Sequence, residues 1–287
     1  MLYNKTKEAG SNNLTTISRS SGWHMVNWKE LFEYVDLGYF MVLRDIKILY
    51  QQTIMGFLWA IIRPLFSMIV FSVIFGRLAK IPSDGIPYPV FSYAALVPWT
   101  YFSTSMTKAS ESLILNIGVF TKVYFPRILI PITPVLSGLL DFFISLSILF
   151  IIMLYFGIVP TLNIFWAPLL ILIMILTSTG VGLWFSALAV QYRDVRYAVQ
   201  FLAQLLMYAA PVVWPISLLT EKFGENFTFW YGFYPMVGVI EGFRSSLIGL
   251  NPMPWNLIVM GSITSLILFI SGSYYFSKKE RIFADVA

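Results

Sequence analysis

Leu43-Arg44-Asp45-Ile46-Lys47-Ile48-Leu49-Tyr50-Gln51-Gln52-Thr53 is a helix-forming stretch with one charged face, and it runs straight into an apolar segment over 54–75 that itself carries Arg63-Pro64. A soluble domain has no use for some twenty apolar residues directly after a charged helix. A simple anchor has no use for the charged helix. The junction joins something at a membrane surface to a membrane-spanning bundle, and the rest of the chain agrees with that reading.

Of 287 residues, 58% are hydrophobic and only 11% charged, whereas a soluble globular domain is about 45–50% apolar and about 25% charged. Five further segments are long and apolar enough to cross a hydrocarbon core, which takes about 20 helical residues. The six expected spans are 54–75, 88–106, 128–156, 165–190, 197–213 and 255–275. The fifth is short and bounded by Pro211 and Pro215. Between it and the last span, 216–254 is half apolar and punctuated by Gly and Pro. It is too apolar for a plain loop and too broken for a span, which predicts a re-entrant or interfacial helical hairpin.

Ahead of the spans, residues 1–26 are rich in Ser, Asn and Thr and read as a flexible cytoplasmic tail. Over 27–53, Trp28, Leu31, Phe32, Val35 and Tyr39 recur every three or four residues, with Lys29, Glu30, Glu33 and Asp36 opposite. That is an amphipathic helix suited to a membrane surface or to a partner. With the amino terminus inside, Arg44, Lys47, Lys108, Lys122, Arg127, Arg193, Arg196, Lys278, Lys279 and Arg281 fall on the cytoplasmic side, leaving Arg77, Lys80, Lys222 and Arg244 outside. The positive-inside rule therefore predicts cytoplasmic termini, with 277–287 as a carboxy-terminal tail. A net charge of +5 is explained by this topology and needs no nucleic acid.

Several chemistries are excluded. No G-x-x-x-x-G-K-[ST] loop occurs, so the sequence holds no Walker cradle for nucleotide phosphates. It has no cysteine and one histidine, His24, which leaves no thiolate metal site and no histidine relay in the bundle. No acid–base constellation of a glycosyl- or acyltransferase is present, so no catalytic residue and no metal ligand is assigned. The expected spans hold two clear ionisable residues, Arg63 and Asp141, thin material for an ion-driven flippase, which uses chains of intramembrane acids or histidines. Arg63 either snorkels toward headgroups or faces a transport path. Asp141 either satisfies a neighbouring helix or pairs with Arg63. In the loop over 107–127, the apolar Leu113, Ile114, Ile117 and Phe120 precede Lys122 and Arg127, as in a short helix awaiting a groove on another protein.

Five motifs, in chain order, carry a family resemblance. Arg44-Asp45-Ile46-Lys47 with Tyr50, Gly56, Trp59 and Pro64 resembles the entry to the first span of type-2 ABC transporter permeases that export polysaccharides. Ile86-Pro87-Tyr88-Pro89 with Pro98-Trp99 resembles the opening of their second span. The stretch from Asn116 to Val123-Tyr124-Phe125-Pro126-Arg127 is similar to their coupling-helix loop. Tyr192-Arg193-Asp194-Val195-Arg196 with Pro211-Val212, and Tyr234-Pro235-Met236 with Glu241-Gly242-Phe243-Arg244, match the connections around their fifth span and external hairpin. The resemblance implies an all-α membrane protein of six transmembrane helices per subunit, working in the bacterial inner membrane as a homodimer with two copies of a cytoplasmic ABC ATPase. It implies a lipid-linked polysaccharide such as O-antigen as cargo, with ATP and magnesium bound by the ATPase and no cofactor on this chain. The implied ATPase-coupling residues are Trp28, Leu31, Phe32, Val35, Arg44, Lys47, Glu111, Asn116, Lys122 and Arg127. Trp59, Arg63, Tyr93, Trp99, Tyr101, Asp141 and Phe142 would face the translocation pathway, their rings offering sugars a stacking surface. Tyr234, Pro235, Glu241 and Arg244 would form the external gate. Another lipid or small amphiphile is an alternative cargo, because fold does not fix it.

Overall fold

The computed structural model describes residues 28–51, 58–120, 124–249 and 251–280. Helices are the only regular structure among them. In chain order they are α1 (Trp28–Glu33), α2 (Val35–Gln51), α3 (Leu58–Phe71), α4 (Tyr88–Leu115), α5 (Ile117–Phe120), α6 (Leu129–Tyr155), α7 (Ala167–Gln191), α8 (Val195–Ala209), α9 (Ile216–Phe223), α10 (Glu225–Tyr231), α11 (Pro235–Ile248) and α12 (Trp255–Lys279). A π-helical extension, Ser72–Leu78, prolongs α3, and a 3-10 turn, Leu162–Trp166, leads into α7.

Among the described residues, four stretches are long and apolar enough to cross a membrane: Leu58–Leu78, Leu129–Tyr155, Leu162–Gln191 and Trp255–Lys279. Two of the six expected spans differ from these. The 88–106 segment forms a longer helix, α4, diluted by hydroxyls and by Lys108 and Glu111. The 197–213 segment gives α8, whose 15 residues cover only about 22 Å before Pro211.

α4 is the hub. It is buried along most of its length and packs against α3, α6, α7, α8 and α11. Because its neighbours are helices and not lipid, it needs small and hydroxylated residues more than hydropathy, as helix contacts in membranes do. α11 is buried at every residue, wedged among α4, α7 and α12. Pro235 starts it at the first helical position, and Gly249 ends it at φ 73°, a left-handed conformation natural to glycine.

α7 and α12 meet backbone to backbone. A Cβ on Gly180 would lie 2.6 Å from the Leu268 carbonyl carbon and the Phe269 nitrogen, and Gly272 faces the Gly180 carbonyl. The Pro64 ring inside α3 frees the carbonyl of Ala60, which accepts the Ser145 hydroxyl of α6 at 3.4 Å.

A second apolar core closes the end of the bundle where α5 leads to α6, hereafter the loop end. Met41, Leu113, Phe125, Ile128, Leu129, Leu183 and Phe276 are buried together there, with Leu31 and Leu37 packed on them. The amphipathic amino-terminal region therefore does not simply lie flat. Leu129 packs beside Gly38, and Asp141 meets Tyr50 at the same 91-residue separation. α2 thus climbs parallel to α6 for about 18 Å. The junction over 52–57 lies outside the described residues.

Candidate functional site

Function-bearing side chains gather at the two ends of the bundle and along the α2–α6 seam. At the loop end, Arg44 donates from Nη2 to Asp45 Oδ1 at 2.9 Å and to Asn116 Oδ1 at 3.3 Å. Asn116 in turn donates to the Ser112 carbonyl at 2.8 Å and closes α4. The expected coupling pair Arg44 and Asn116 is therefore in direct contact. Glu111 accepts from Gln200 of α8 at 3.1 Å. Leu31 packs into the loop-end core, whereas Phe32 (73% exposed), Val35 and Lys47 face outward, as residues open to a partner must. The side chain of Trp28 and the whole of Lys122 lie outside the described residues.

Two further contacts gather there that the sequence did not single out. Tyr124 donates to Glu30 Oε1 at 3.0 Å, joining α1 to the loop after α5. That bond raises the Tyr124 phenol above its ordinary range. Arg127 donates its backbone N–H to Glu280 Oε1 at 3.4 Å and its Nη1 to the Glu280 carbonyl at 2.8 Å. Burial raises the Glu280 carboxyl, against the opposing pull of Arg127.

On the seam, Asp141 accepts a hydrogen bond from the Tyr50 hydroxyl. This corrects one of the two alternatives for Asp141. Among the described residues no ion pair joins it to Arg63, whose guanidinium lies 5.4 Å from the centre of the Trp59 ring. The neighbouring tyrosine, one helix away, reaches the acid first. Beside Asp141 a cavity of about 50 Å³ is lined by Thr100, Thr104, Ser105, Lys108 and Ser145, room for a water or two and not for a sugar ring. Of the aromatic pathway candidates, Tyr93, Trp99, Tyr101 and Phe142 are buried inside the subunit and only Trp59 is exposed. Tyr101 donates to the Val135 carbonyl at 2.9 Å, and Phe142 meets Tyr101 and Phe243 edge-on.

At the opposite, hairpin end the chain solves a backbone problem. α8 stops at Ala209 and the linker over 210–213 that follows is buried, so carbonyls at the helix end and in the linker lack helical donors, and an unsatisfied carbonyl away from water is costly. Side chains of α4, α10 and α11 and of the turn before α11 supply bonds to this stretch. Tyr234 donates to Leu206 O at 3.3 Å, Tyr231 to Ala209 O, Arg244 Nη2 to Val212 O at 3.1 Å, and Tyr88 to Val213 O at 2.8 Å.

Arg244 does more. It pairs with Glu241 at 2.8 Å, with both side chains under a tenth exposed, donates from Nε to Phe91 O at 3.4 Å, and stacks 3.6 Å from the centre of the Phe91 ring. Of the four expected gate residues, Glu241 and Arg244 form a buried pair on α11, Pro235 opens that helix and Tyr234 precedes it, bonded to α8. The spacing Glu-x-x-Arg places both on one helix face and was the available signal. Asp84, missed by sequence reasoning, accepts from Ser217 at 2.8 Å and from Asn251 at 3.3 Å. It ties the first turn of α9 to the linker before α12.

Comparison with known proteins supplies an independent view. Residues 38–248 match the family described as ABC-2 type transporter. The chain is 26% identical over 255 residues to the O-antigen export system permease protein RfbA of Myxococcus xanthus, covering 88% of this chain and 96% of that one. It is 27% identical over 244 residues to RfbA of Klebsiella pneumoniae, covering 85% and 92%. It is 25% identical over 253 residues to the polysialic acid transport protein KpsM of Escherichia coli, covering 84% and 93%.

Proposed function

The chain belongs to the ABC-2 type transporter family, and from that premise we propose that it is the membrane subunit of an ATP-driven exporter that moves a lipid-linked polysaccharide across the bacterial cytoplasmic membrane. The observation that carries this reading is the likeness, over at least 84% of the chain, to proteins named for O-antigen export and polysialic acid transport. The subunit performs no chemistry of its own: a separate ABC ATPase binds ATP and magnesium, and two copies of it serve a homodimer of this chain.

In this reading α3, α4, α6, α7, α8 and α12 are the six spans, and α9 to α11 form the re-entrant hairpin on the outer side. Both termini are cytoplasmic, which puts the basic residues of the loop end inside. Short α8 is completed as a span by the Pro-bounded linker that Arg244, Tyr88 and Tyr234 hold in place. The exposed apolar positions Phe32 and Val35, with Arg44 and Asn116 behind them, receive the ATPase. Trp59 and Arg63 on the open face of α3 meet the translocation path, braced from behind by the buried rings of Tyr93, Trp99, Tyr101 and Phe142. The chain before α1 and the chain after α12 lie on the cytoplasmic side.

The test is genetic and biochemical. Loss of the chain should trap lipid-linked polysaccharide inside the cell, and purification of the chain should bring down an ABC ATPase in equal amount. Undiminished surface polysaccharide in the deletion strain would refute the reading.

A further inference from the structure

Arg127 and Glu280 are 153 residues apart in sequence yet joined by two hydrogen bonds at the loop end. The loop that contains Arg127 is thereby fastened to the last turn of α12. One turn earlier, Phe276 is fully buried in the loop-end core, with Phe125 and Ile128 in the same cluster. From there α12 runs for 25 residues, about 38 Å, to the hairpin end.

Its contacts along the way are unusually stiff. Gly272 meets the Gly180 carbonyl, Gly261 faces the Pro235 backbone, and the Leu257 carbonyl lies 2.5 Å from where a Cβ on Gly238 would stand. Ser265 and Thr177 share a buried hydrogen bond of 2.8 Å. The first and last of these join α12 to α7 and the other two join it to α11; backbone packed on backbone leaves no flexible side chain to absorb a displacement, so a movement of α12 would carry α11 with it. Three residues beyond Gly238 on α11 stands Glu241, the partner of Arg244.

We propose that Glu280 is a positioning residue for transport: through Arg127 it ties the coupling loop to α12, and α12 relays displacement of that loop to the buried Glu241–Arg244 clamp at the hairpin end. The inference rests on the exporter reading above and adds a route by which a push at the loop reaches the exit.

The transporter reconstituted with its ATPase tests this in three forms. These are the parent, Glu280→Lys, which sets a second cation against Arg127, and Glu280→Gln, which keeps an Oε1 acceptor for the Arg127 N–H. Because the sequence has no cysteine, Phe227→Cys on exposed α10 gives each form one site for a water-soluble maleimide. Glu280→Lys should continue to hydrolyse ATP while polysaccharide exported per ATP falls about fivefold or more, and ATP should no longer change labelling at position 227. Glu280→Gln should restore both. Normal coupling in Glu280→Lys, a retained response at position 227, or failure of Glu280→Gln to rescue would each overturn the inference.

Should Glu280→Lys not assemble, hydrogen–deuterium exchange on the parent decides. Nucleotide-dependent protection that moves together in the loop, α12 and α11 supports the relay, and a response in the loop with α12 and α11 silent overturns it. Failure of the parent to bind an ATPase would instead defeat the exporter reading itself, so the two failures are distinguishable.

Discussion

Removing Arg244 alone from the Glu241–Arg244 pair should destabilise the fold more than removing both members. Arg244→Met leaves Glu241 buried with no cation. Its remaining donor is the Ile216 backbone N–H, and the nearby Asp84 charge opposes it. Breaking a buried pair from one side costs about 3–5 kcal/mol, and this variant belongs at the upper end. Glu241→Leu leaves the guanidinium buried, but Val212 O, Phe91 O and the Phe91 ring still receive it, so its cost belongs near the lower end. The double variant Glu241→Leu/Arg244→Met carries no buried charge. What it loses is the donor to two carbonyls, of order 1–3 kcal/mol each at most, offset by apolar side chains of similar volume. Thermal unfolding of the detergent-solubilised chain, followed by fluorescence-detected size exclusion, should therefore rank the double variant above Arg244→Met. Export should fail in the two variants that lack Arg244, since each loses the donor to Val212 O in the linker after α8. Additive losses in the double variant would refute the reasoning, because they would mean that the two side chains act independently.

Tyr50→Phe withdraws the donor from Asp141 and should cost about 1.5–3 kcal/mol, read by the same unfolding assay, whereas Arg63→Gln should leave stability unchanged and a charge swap with Asp141 should rescue nothing. Gly180→Ala drives a methyl into the α12 backbone and should destabilise by about 1–3 kcal/mol, with lowered expression of folded protein as the readout. Docking of the last turn of α12 should weaken with rising pH. Burial raises the Glu280 carboxyl in the docked state above its unfolded value, so the docked form binds more protons. The resulting stability is complete below the unfolded value and is lost as pH rises through the docked one. Amide exchange near Lys278 and Lys279 followed against pH should show this slope, and Glu280→Gln should flatten it.

Much of this architecture is legible in the amino-acid pattern, and the failures share one cause. Hydropathy finds α3, α6, α7 and α12 because each turns a face to lipid, where apolarity is the requirement. α4 and α11 are enclosed by other helices, and enclosure asks for small residues, hydroxyls and satisfied polar groups instead. So Ser, Thr, Glu and Arg appear where a hydropathy reading sees a loop or a weakened span. The Glu241-x-x-Arg244 spacing announces a pair on one helix face, but only the fold shows that Phe91 and the Val212 carbonyl complete its environment. Tyr231, Tyr88 and Asp84 were illegible for the same reason: each acts on backbone or side chains more than twenty residues away.

The junction that decides the fold also changes meaning once α2 is placed. A helix resting on a membrane surface can transmit force only through its attachment to α3. Here α2 is buried at Met41 against the α6 entrance, bonded through Arg44 to the α4–α5 corner, and bonded through Tyr50 to Asp141 deep in α6. A partner pressing on Phe32 or Val35 would therefore load α4 and α6 as directly as α3, and the loop at Arg127 would load α12 through Glu280. The loop-end core joins α2, α4, α6, α7 and α12 in one packed cluster. Packed clusters shift as units and do not deform by degrees, so in the proposed exporter a push from the ATPase would act on this cluster and not through a single lever at residues 43–53. A variant that cuts only one strand of it, such as Tyr50→Phe, should slow export without abolishing it. Complete loss of export from that single hydroxyl, with the protein still folded and ATPase-bound, would return the burden to the lever.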